Sequence, residues 1–153
     1  MGQGSIIGYE INEKTCQISF YNEKDLEPDT LEVDTDNYQI PLIIGKLRDT
    51  WAYGKEAKRL VTIKDGFTAT RLLSKSLAGD KIEFGEETYD AVWLLSQFIQ
   101  MSLQSFPEID GIVFTVPSLS EEMAQMLRGI AVRMNIDTVS YTHLRAHETS
   151  QDL

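Results

Sequence analysis

Two histidines near the end of the chain have the spacing of a metal site. His143 and His147 are four residues apart, which would place both on one face of a helix, as in many zinc sites. The protease form of this motif has a Glu directly after the first histidine, and here that position is Leu144. The surrounding residues 141–153 are polar and show no apolar periodicity. We therefore expect no zinc site, and without this segment the chain has no histidine for acid–base or nucleophilic chemistry.

The remaining candidate chemistry lies in three blocks that follow one another along the chain. The blocks are Ile7-Gly8-Tyr9-Glu10-Ile11-Asn12, then Ile40-Pro41 leading to Tyr53-Gly54-Lys55-Glu56-Ala57-Lys58, and last Gly111-Ile112-Val113-Phe114-Thr115-Val116-Pro117. In this order they resemble the first phosphate motif, the inserted subdomain and the buried strand of the actin, sugar-kinase and seventy-kilodalton heat-shock-chaperone ATPase superfamily. The similarity covers about residues 5–139 and points to a bacterial branch apart from the housekeeping chaperones.

The resemblance implies a fold and a cofactor. The fold is an α/β, ribonuclease-H-like, actin-type half-lobe over residues 1–140, with an inserted β-and-helix subdomain at about 38–87. Its opening antiparallel hairpin and third strand would be followed by parallel strands with helices. The cofactors would be ATP and magnesium in a full-length parent, which would be a chaperone-like or actin-like ATP-binding protein.

The resemblance also assigns roles to particular residues. Glu10 stands where the family keeps an Asp that binds magnesium through water, and Lys58 stands where a catalytic lysine positions the attacking water. Backbone amides that converge at a hairpin tip form an anion-binding nest without needing a particular side chain. The tip that would hold the nucleotide phosphates consists of Asn12, Glu13, Lys14 and Thr15.

Several positions depart from the family pattern. Glu10 replaces Asp and extends the carboxylate by about an ångström, a displacement that can lower catalysis strongly. Asn12 replaces a glycine that lets phosphate approach the backbone, although Asn tolerates left-handed turns. The arginine that couples chaperones to their peptide-binding domain is replaced by Gln125 or, with one gap, Ala124. Chaperone-type coupling is therefore not expected.

Three alternatives stay open at this point. Glu10 can be a surface carboxylate and Lys58 a solvated helix lysine, with no site between them. The chain can be a degenerate, non-catalytic scaffold of the same fold that mediates protein–protein contacts. It can also be an unrelated small α/β binding domain, which would be favoured if the opening hairpin and third strand did not pair with the strand at Ile112.

The chain ends before the superfamily's second phosphate motif, its adenosine motif and the other lobe. Nucleotide in this fold lies between two lobes, so the resemblance implies that this polypeptide alone is no enzyme and binds ATP weakly.

Apolar patterning predicts the elements that position these blocks. Runs at Ile6 to Tyr9 and Cys16 to Tyr21 predict an opening hairpin, and the continuous apolar run Ile112 to Val116 predicts a strand buried on both faces. Further expected elements are a partly solvated strand near Leu31, strands over 38–47 and 50–53, a short helix over 55–60, helices over 67–77, 89–103 and 121–134, a strand-turn at 82–85 and a last strand from about Ile136. Ser118 with Glu121 is expected to cap the last helix.

Composition limits the partners. The formal charge is -10, which repels nucleic-acid phosphates and anionic membrane surfaces, so neither is expected as a partner and a protein partner of unknown identity remains. The single Cys16 in an alternating run indicates a buried thiol, and with no secretory signal in the first residues it favours a cytoplasmic protein. Residues 141–153 resemble translated adapter or vector sequence, and we interpret them as a non-native tail that is disordered or loosely placed.

Overall fold

The chain folds as a mixed α/β structure in which one large mixed sheet carries a smaller inserted sheet and four α-helices within the residues that the structure describes. This computed structural model describes residues 4–22, 29–31 and 38–143. Within those ranges, every helix is too short or too polar to cross a membrane.

The strands and helices follow one another in an order close to the expected one. The strands are β1 (Ser5–Ile11), β2 (Thr15–Asn22), β3 (Asp29–Thr30), β4 (Gln39–Pro41), β5 (Ile44–Leu47), β6 (Thr50–Tyr53), β7 (Gly66–Ala69), β8 (Lys81–Phe84), β9 (Glu87–Asp90), β10 (Ile109–Val116) and β11 (Thr138–His143). The helices are α1 (Lys55–Lys58), continued by a 3₁₀ turn at Arg59–Thr62, α2 (Leu72–Ala78), α3 (Ala91–Ser102) and α4 (Glu121–Arg133).

The large sheet has the order β11-β10-β1-β2-β3, and β4 also pairs with β2. The hairpin strands β1 and β2 are antiparallel, whereas β1 and β10 are parallel with Ile7 opposite Ile112. The prediction that Gly111 to Val116 forms a central strand beside the opening hairpin is therefore confirmed. Of the two elements whose failure to pair with the strand at Ile112 would favour an unrelated fold, the hairpin does pair with it through β1, whereas the third strand, β3, pairs with β2 instead.

The core lies on the face of this sheet that packs against the helices. Ile7, Tyr9 and Ile11 alternate along β1 and are fully buried, as the period of two in a strand requires. They belong to the same buried cluster as Leu95 and Phe98 of α3, which are also fully buried. Each such side chain contributes roughly 1.5–3 kcal/mol by leaving water, so this layer holds the hairpin in place.

The inserted segment forms a three-stranded sheet, β6-β5-β7, followed by the hairpin β8-β9. Phe67, predicted to begin a helix, lies instead in β7 opposite Lys46, because helix α2 begins only after Arg71, which has a left-handed backbone (φ 56°). The predicted glycine terminator is confirmed, since Gly79 adopts φ 73° at the end of α2. Gly85, with φ 68°, occupies the predicted turn after β8.

One helix start and one helix cap also differ from expectation. Tyr89, expected in the helix, is the third residue of β9, and α3 starts at Ala91. Helix α4 is capped by Ser120, whose side chain accepts a hydrogen bond from the Met123 amide at 3.0 Å, so the expected capping role of Ser118 is wrong. Helix α4 begins at Glu121 as expected, and the residue directly before it, Ser120, is the one whose side chain can reach the first free amides.

The ordered chain continues beyond residue 140. Tyr141 and His143 lie in β11 opposite Phe114 and Val116, and the Tyr141 and Phe114 rings stack at 6.3 Å. The expectation of a loose tail is therefore wrong for residues 141–143, which are held by the ladder to β10. The rest of that segment, including His147, and the acidic stretches at 23–28 and 32–37 lie outside the described residues.

Candidate phosphate-binding hairpin

The tip of the β1-β2 hairpin is closed by one of its own side chains. After the last ladder pair, Ile11 with Cys16, the Asn12 amide donates to the Thr15 carbonyl at 3.0 Å. The Asn12 Oδ1 oxygen accepts hydrogen bonds from the backbone amides of Lys14 at 2.8 Å and Thr15 at 2.9 Å. These are two of the amides that an anion nest would direct at a phosphate, and here a side-chain oxygen occupies that place.

A small cavity lies beside this tip. Its volume is about 260 Å³, and it is lined by Glu13, Lys14, Leu42, Ile43, Thr70 and Arg71. The cavity thus has two cationic side chains and one carboxylate at its wall. The Glu13 carboxylate also accepts a hydrogen bond from the Ser74 hydroxyl of α2 at 3.1 Å. This contact ties the tip to the inserted segment.

The expected magnesium residue stands on the other face of the sheet. Glu10 lies in β1 opposite Gln17 and Thr115, and it is half-buried. It alternates with Tyr9 and Ile11, whose side chains enter the core, so it points away from the helices. Over residues 4–22, 29–31 and 38–143 it forms no hydrogen bond or ion pair, and the same ranges contain no group of three His, Cys, Asp or Glu side chains able to hold a metal ion.

The expected catalytic lysine is not part of the hairpin cavity. Lys58 is the last residue of α1 and is exposed. Its side chain makes no hydrogen bond or ion pair with another described residue, while the neighbouring Arg59 pairs with Glu56 at 3.2 Å. Lys58 therefore has the environment of a solvated helix lysine, and the structure does not bring it together with Glu10 in one site.

A buried polar network links the core-facing side of the hairpin to the end of α3. The Tyr9 hydroxyl lies 2.6 Å from Ser102 Oγ, which in turn donates to the Ile99 carbonyl at 2.8 Å. The Cys16 thiol donates to the Tyr9 hydroxyl at 3.6 Å. Burial raises the pKa of Cys16 to about 12, so the thiol stays protonated and unreactive at neutral pH, as its sequence pattern predicted.

Sequence reasoning missed Arg71 and underestimated Asn12. Arg71 belongs to no sequence motif. It lies beside the hairpin only because the inserted segment, which is distant in the chain, folds back against the tip. Asn12 gave a usable signal, because Asn at the start of a turn commonly bonds the amides two and three residues ahead. The replacement of glycine is visible in the sequence, whereas the two hydrogen bonds from the tip amides to Asn12 Oδ1 are visible only in the structure.

Comparison with known proteins gives one family. A model described as "Family of unknown function (DUF5716) C-terminal" matches residues 27–151. No curated protein matches the chain. The matched region begins after β2 and contains the strands from β3 onward, so the hairpin with Glu10 and Asn12 precedes it.

Proposed function

The chain belongs to the family of unknown function (DUF5716) C-terminal, and we propose, on the strand order and the hairpin geometry, that it is a non-catalytic, protein-binding lobe of the actin and seventy-kilodalton chaperone type. In this proposal the lobe keeps the fold of a nucleotide-binding domain, while its phosphate hairpin is closed by Asn12.

The arrangement of the strands supports the choice of fold. An antiparallel hairpin and third strand are followed, after an inserted small sheet, by two parallel strands in the order β3-β2-β1-β10-β11. This is the arrangement that the resemblance implies for a ribonuclease-H-like half-lobe. The coarser description, a mixed α/β structure with a mixed sheet, does not depend on it.

The observation that carries the functional proposal is the double hydrogen bond to Asn12 Oδ1. A phosphate bound by the amides of Lys14 and Thr15 would have to displace this oxygen, and each hydrogen bond lost is worth about 1 kcal/mol. Glu13, at the wall of the adjacent cavity, adds a like charge that repels the phosphate. Both features weaken nucleotide binding relative to an open glycine tip.

The positions of the expected catalytic groups agree with this proposal. Glu10 and Lys58 share no hydrogen bond or ion pair within the part of the chain that the structure describes, and neither lines the cavity beside the tip. A magnesium-assisted hydrolysis would need both groups near the same phosphate.

One observation favours a second candidate, nucleotide binding by the same hairpin. Lys14, Thr70 and Arg71 converge on the cavity beside the tip and could together hold a phosphate group, with ATP and magnesium as the natural ligands. In that case the Asn12 side chain would have to turn away when the ligand arrives.

Calorimetric titration of Mg-ATP distinguishes the two candidates. The proposal predicts no binding tighter than about millimolar, which corresponds to roughly 4 kcal/mol. Micromolar binding that is lost in Lys14→Ala and Arg71→Ala, but kept in the control Lys64→Ala at another exposed lysine, would overturn the proposal in favour of nucleotide binding.

A further inference from the structure

Five aromatic rings from the inserted segment and α3 form one continuous cluster. Phe67 stacks on Phe84 with ring centres 5.5 Å apart, and Tyr89 stacks on Trp93 at 5.3 Å. Trp51 joins the two stacks, with its centre 5.4 Å from Tyr89, 5.6 Å from Trp93 and 6.2 Å from Phe84. We call these five residues the aromatic cluster. It contains both tryptophans of the chain.

Two rings of the cluster reach the surface. Phe67 and Trp93 are each 37% exposed, while Phe84 at the centre is 4% exposed. Rings fixed by stacking on a buried neighbour lose little conformational freedom when a partner covers them. Exposed aromatic side chains of this kind are enriched at protein interfaces.

The cluster already holds one cation of its own. The Lys46 ammonium group lies 5.2 Å from the centre of the Trp51 ring and 5.6 Å from that of Tyr89. It is fixed there by hydrogen bonds to the Glu87 carboxylate at 2.8 Å and the Tyr89 hydroxyl at 3.0 Å. The faces of these rings therefore attract positive charge, as the quadrupole of an aromatic ring does.

The adjoining β8-β9 hairpin is acidic. Glu87 pairs with Lys46, and Asp90 pairs with Lys81. Glu83 and Glu86 are exposed and have no ion pair or hydrogen bond to any described residue. Glu86 lies next to the exposed rings, because it follows Gly85, whose Cβ position is 3.2 Å from the Phe67 ring. Glu83 pairs with Thr88 and alternates with the buried Phe84, so it lies on the opposite face of the hairpin and adds negative charge only at longer range.

From this combination we infer that the aromatic cluster and the β8-β9 hairpin form a docking surface for an arginine- or lysine-rich segment of a partner protein. The inference rests on the proposed role as a protein-binding lobe. A cationic side chain of the partner would lie over Trp93 or Phe67, and a neighbouring one would pair with Glu86. A second copy of this chain fits less well, because its net charge of -10 opposes self-association.

The two indole N–H signals make the surface directly observable by NMR. The probe is a synthetic Arg/Leu peptide, compared with the same peptide carrying Glu in place of Arg. We expect saturable shifts of the Trp51 and Trp93 indole signals with the Arg peptide and none with the Glu peptide. Binding should weaken about three- to tenfold in the double variant Glu83→Lys/Glu86→Lys, since the exposed charge pair with Glu86 is lost and both carboxylates of the hairpin become cations that repel the peptide.

A matched double variant controls for net charge. Glu108→Lys/Asp137→Lys reverses two exposed carboxylates away from the cluster and should leave the affinity within about twofold of the unmodified chain. Both pairs change residues that are solvent-exposed, and circular dichroism checks that each variant folds.

Three results would overturn the inference. These are no binding of the Arg peptide, equal weakening in the two double variants, and indole shifts that follow protein concentration instead of peptide, which would indicate self-association. The outcome is separable from the nucleotide experiment. Mg-ATP binding through Lys14 and Arg71 would refute the non-catalytic role, whereas loss of peptide binding in Glu83→Lys/Glu86→Lys would still locate the partner surface.

Discussion

Removing the Tyr9 hydroxyl tests how the hairpin is anchored to the core. Tyr9 is fully buried and Ser102 is 3% exposed, and their oxygens lie 2.6 Å apart. In Tyr9→Phe this hydrogen bond is lost, and the Cys16 thiol loses its acceptor. Ser102 keeps its bond to the Ile99 carbonyl, so it is not left without a partner. We therefore expect a loss of about 1–2 kcal/mol in the free energy of unfolding.

The converse substitution should cost more. Ser102→Ala leaves the Tyr9 hydroxyl buried with only the weak thiol contact, for which we expect a loss of about 1–3 kcal/mol. The double variant should destabilise by less than the sum of the two single changes, because both remove the same bond.

Urea unfolding followed by tryptophan fluorescence measures these differences, and the melting temperature of Tyr9→Phe should fall by roughly 2–8 °C. The control is Tyr38→Phe at a tyrosine that is 39% exposed, where the change should stay below about 0.5 kcal/mol. If Tyr9→Phe is no more destabilising than Tyr38→Phe, the network beneath the hairpin does not contribute as argued.

Two further predictions concern the thiol and the helix cap. Burial raises the pKa of the Cys16 thiol from 9.0 to about 12. The stability that the protonated thiol contributes is therefore complete below pH 9 and is lost as the pH rises toward 12. In urea titrations at each pH, the stability difference between the unmodified chain and Cys16→Ala should shrink over that interval. Ser120→Ala should lower stability by about 1 kcal/mol by removing the cap on the Met123 amide, whereas Ser118→Ala should change it by less than half as much, and the reverse order would contradict the assigned cap.

Much of the large sheet could be predicted from local patterns. The alternation of Ile7, Tyr9 and Ile11 indicates one buried face, and the unbroken apolar run after Gly111 indicates a central strand, because burial on one or both faces leaves its mark in neighbouring residues. The pairing of β10 with β1 of the hairpin agrees with the expectation drawn from that apolar run.

The errors arose where tertiary contacts override local spacing. Phe67 and Tyr89 stand at helical distance from the apolar residues that follow, yet each lies in a strand because its ring packs against Phe84. The aromatic cluster could not be predicted, since its rings come from four strands and one helix. No local period connects them.

At the candidate site, the sequence indicates where the hairpin tip lies, but it does not indicate that the tip amides are bonded to the Asn12 side chain. Asn12 was recognised as a replacement for glycine, which concerns the backbone, whereas the consequence depends on where its side-chain oxygen lies. Lys58 was placed in a site by resemblance alone. Its exposed position in α1 gives no independent support for that role.

The central claim is that Asn12 closes the phosphate nest, and the amide signals of Lys14 and Thr15 test it most directly. Inorganic pyrophosphate is titrated into the unmodified chain, into Asn12→Gly and into the control Asn135→Gly, where the asparagine lies after α4 with φ 64°. We expect both amide signals to stay in place in the unmodified chain and in Asn135→Gly, and to shift saturably only in Asn12→Gly, where the two donors become free. Saturable shifts of the Lys14 and Thr15 amides in the unmodified chain would contradict it.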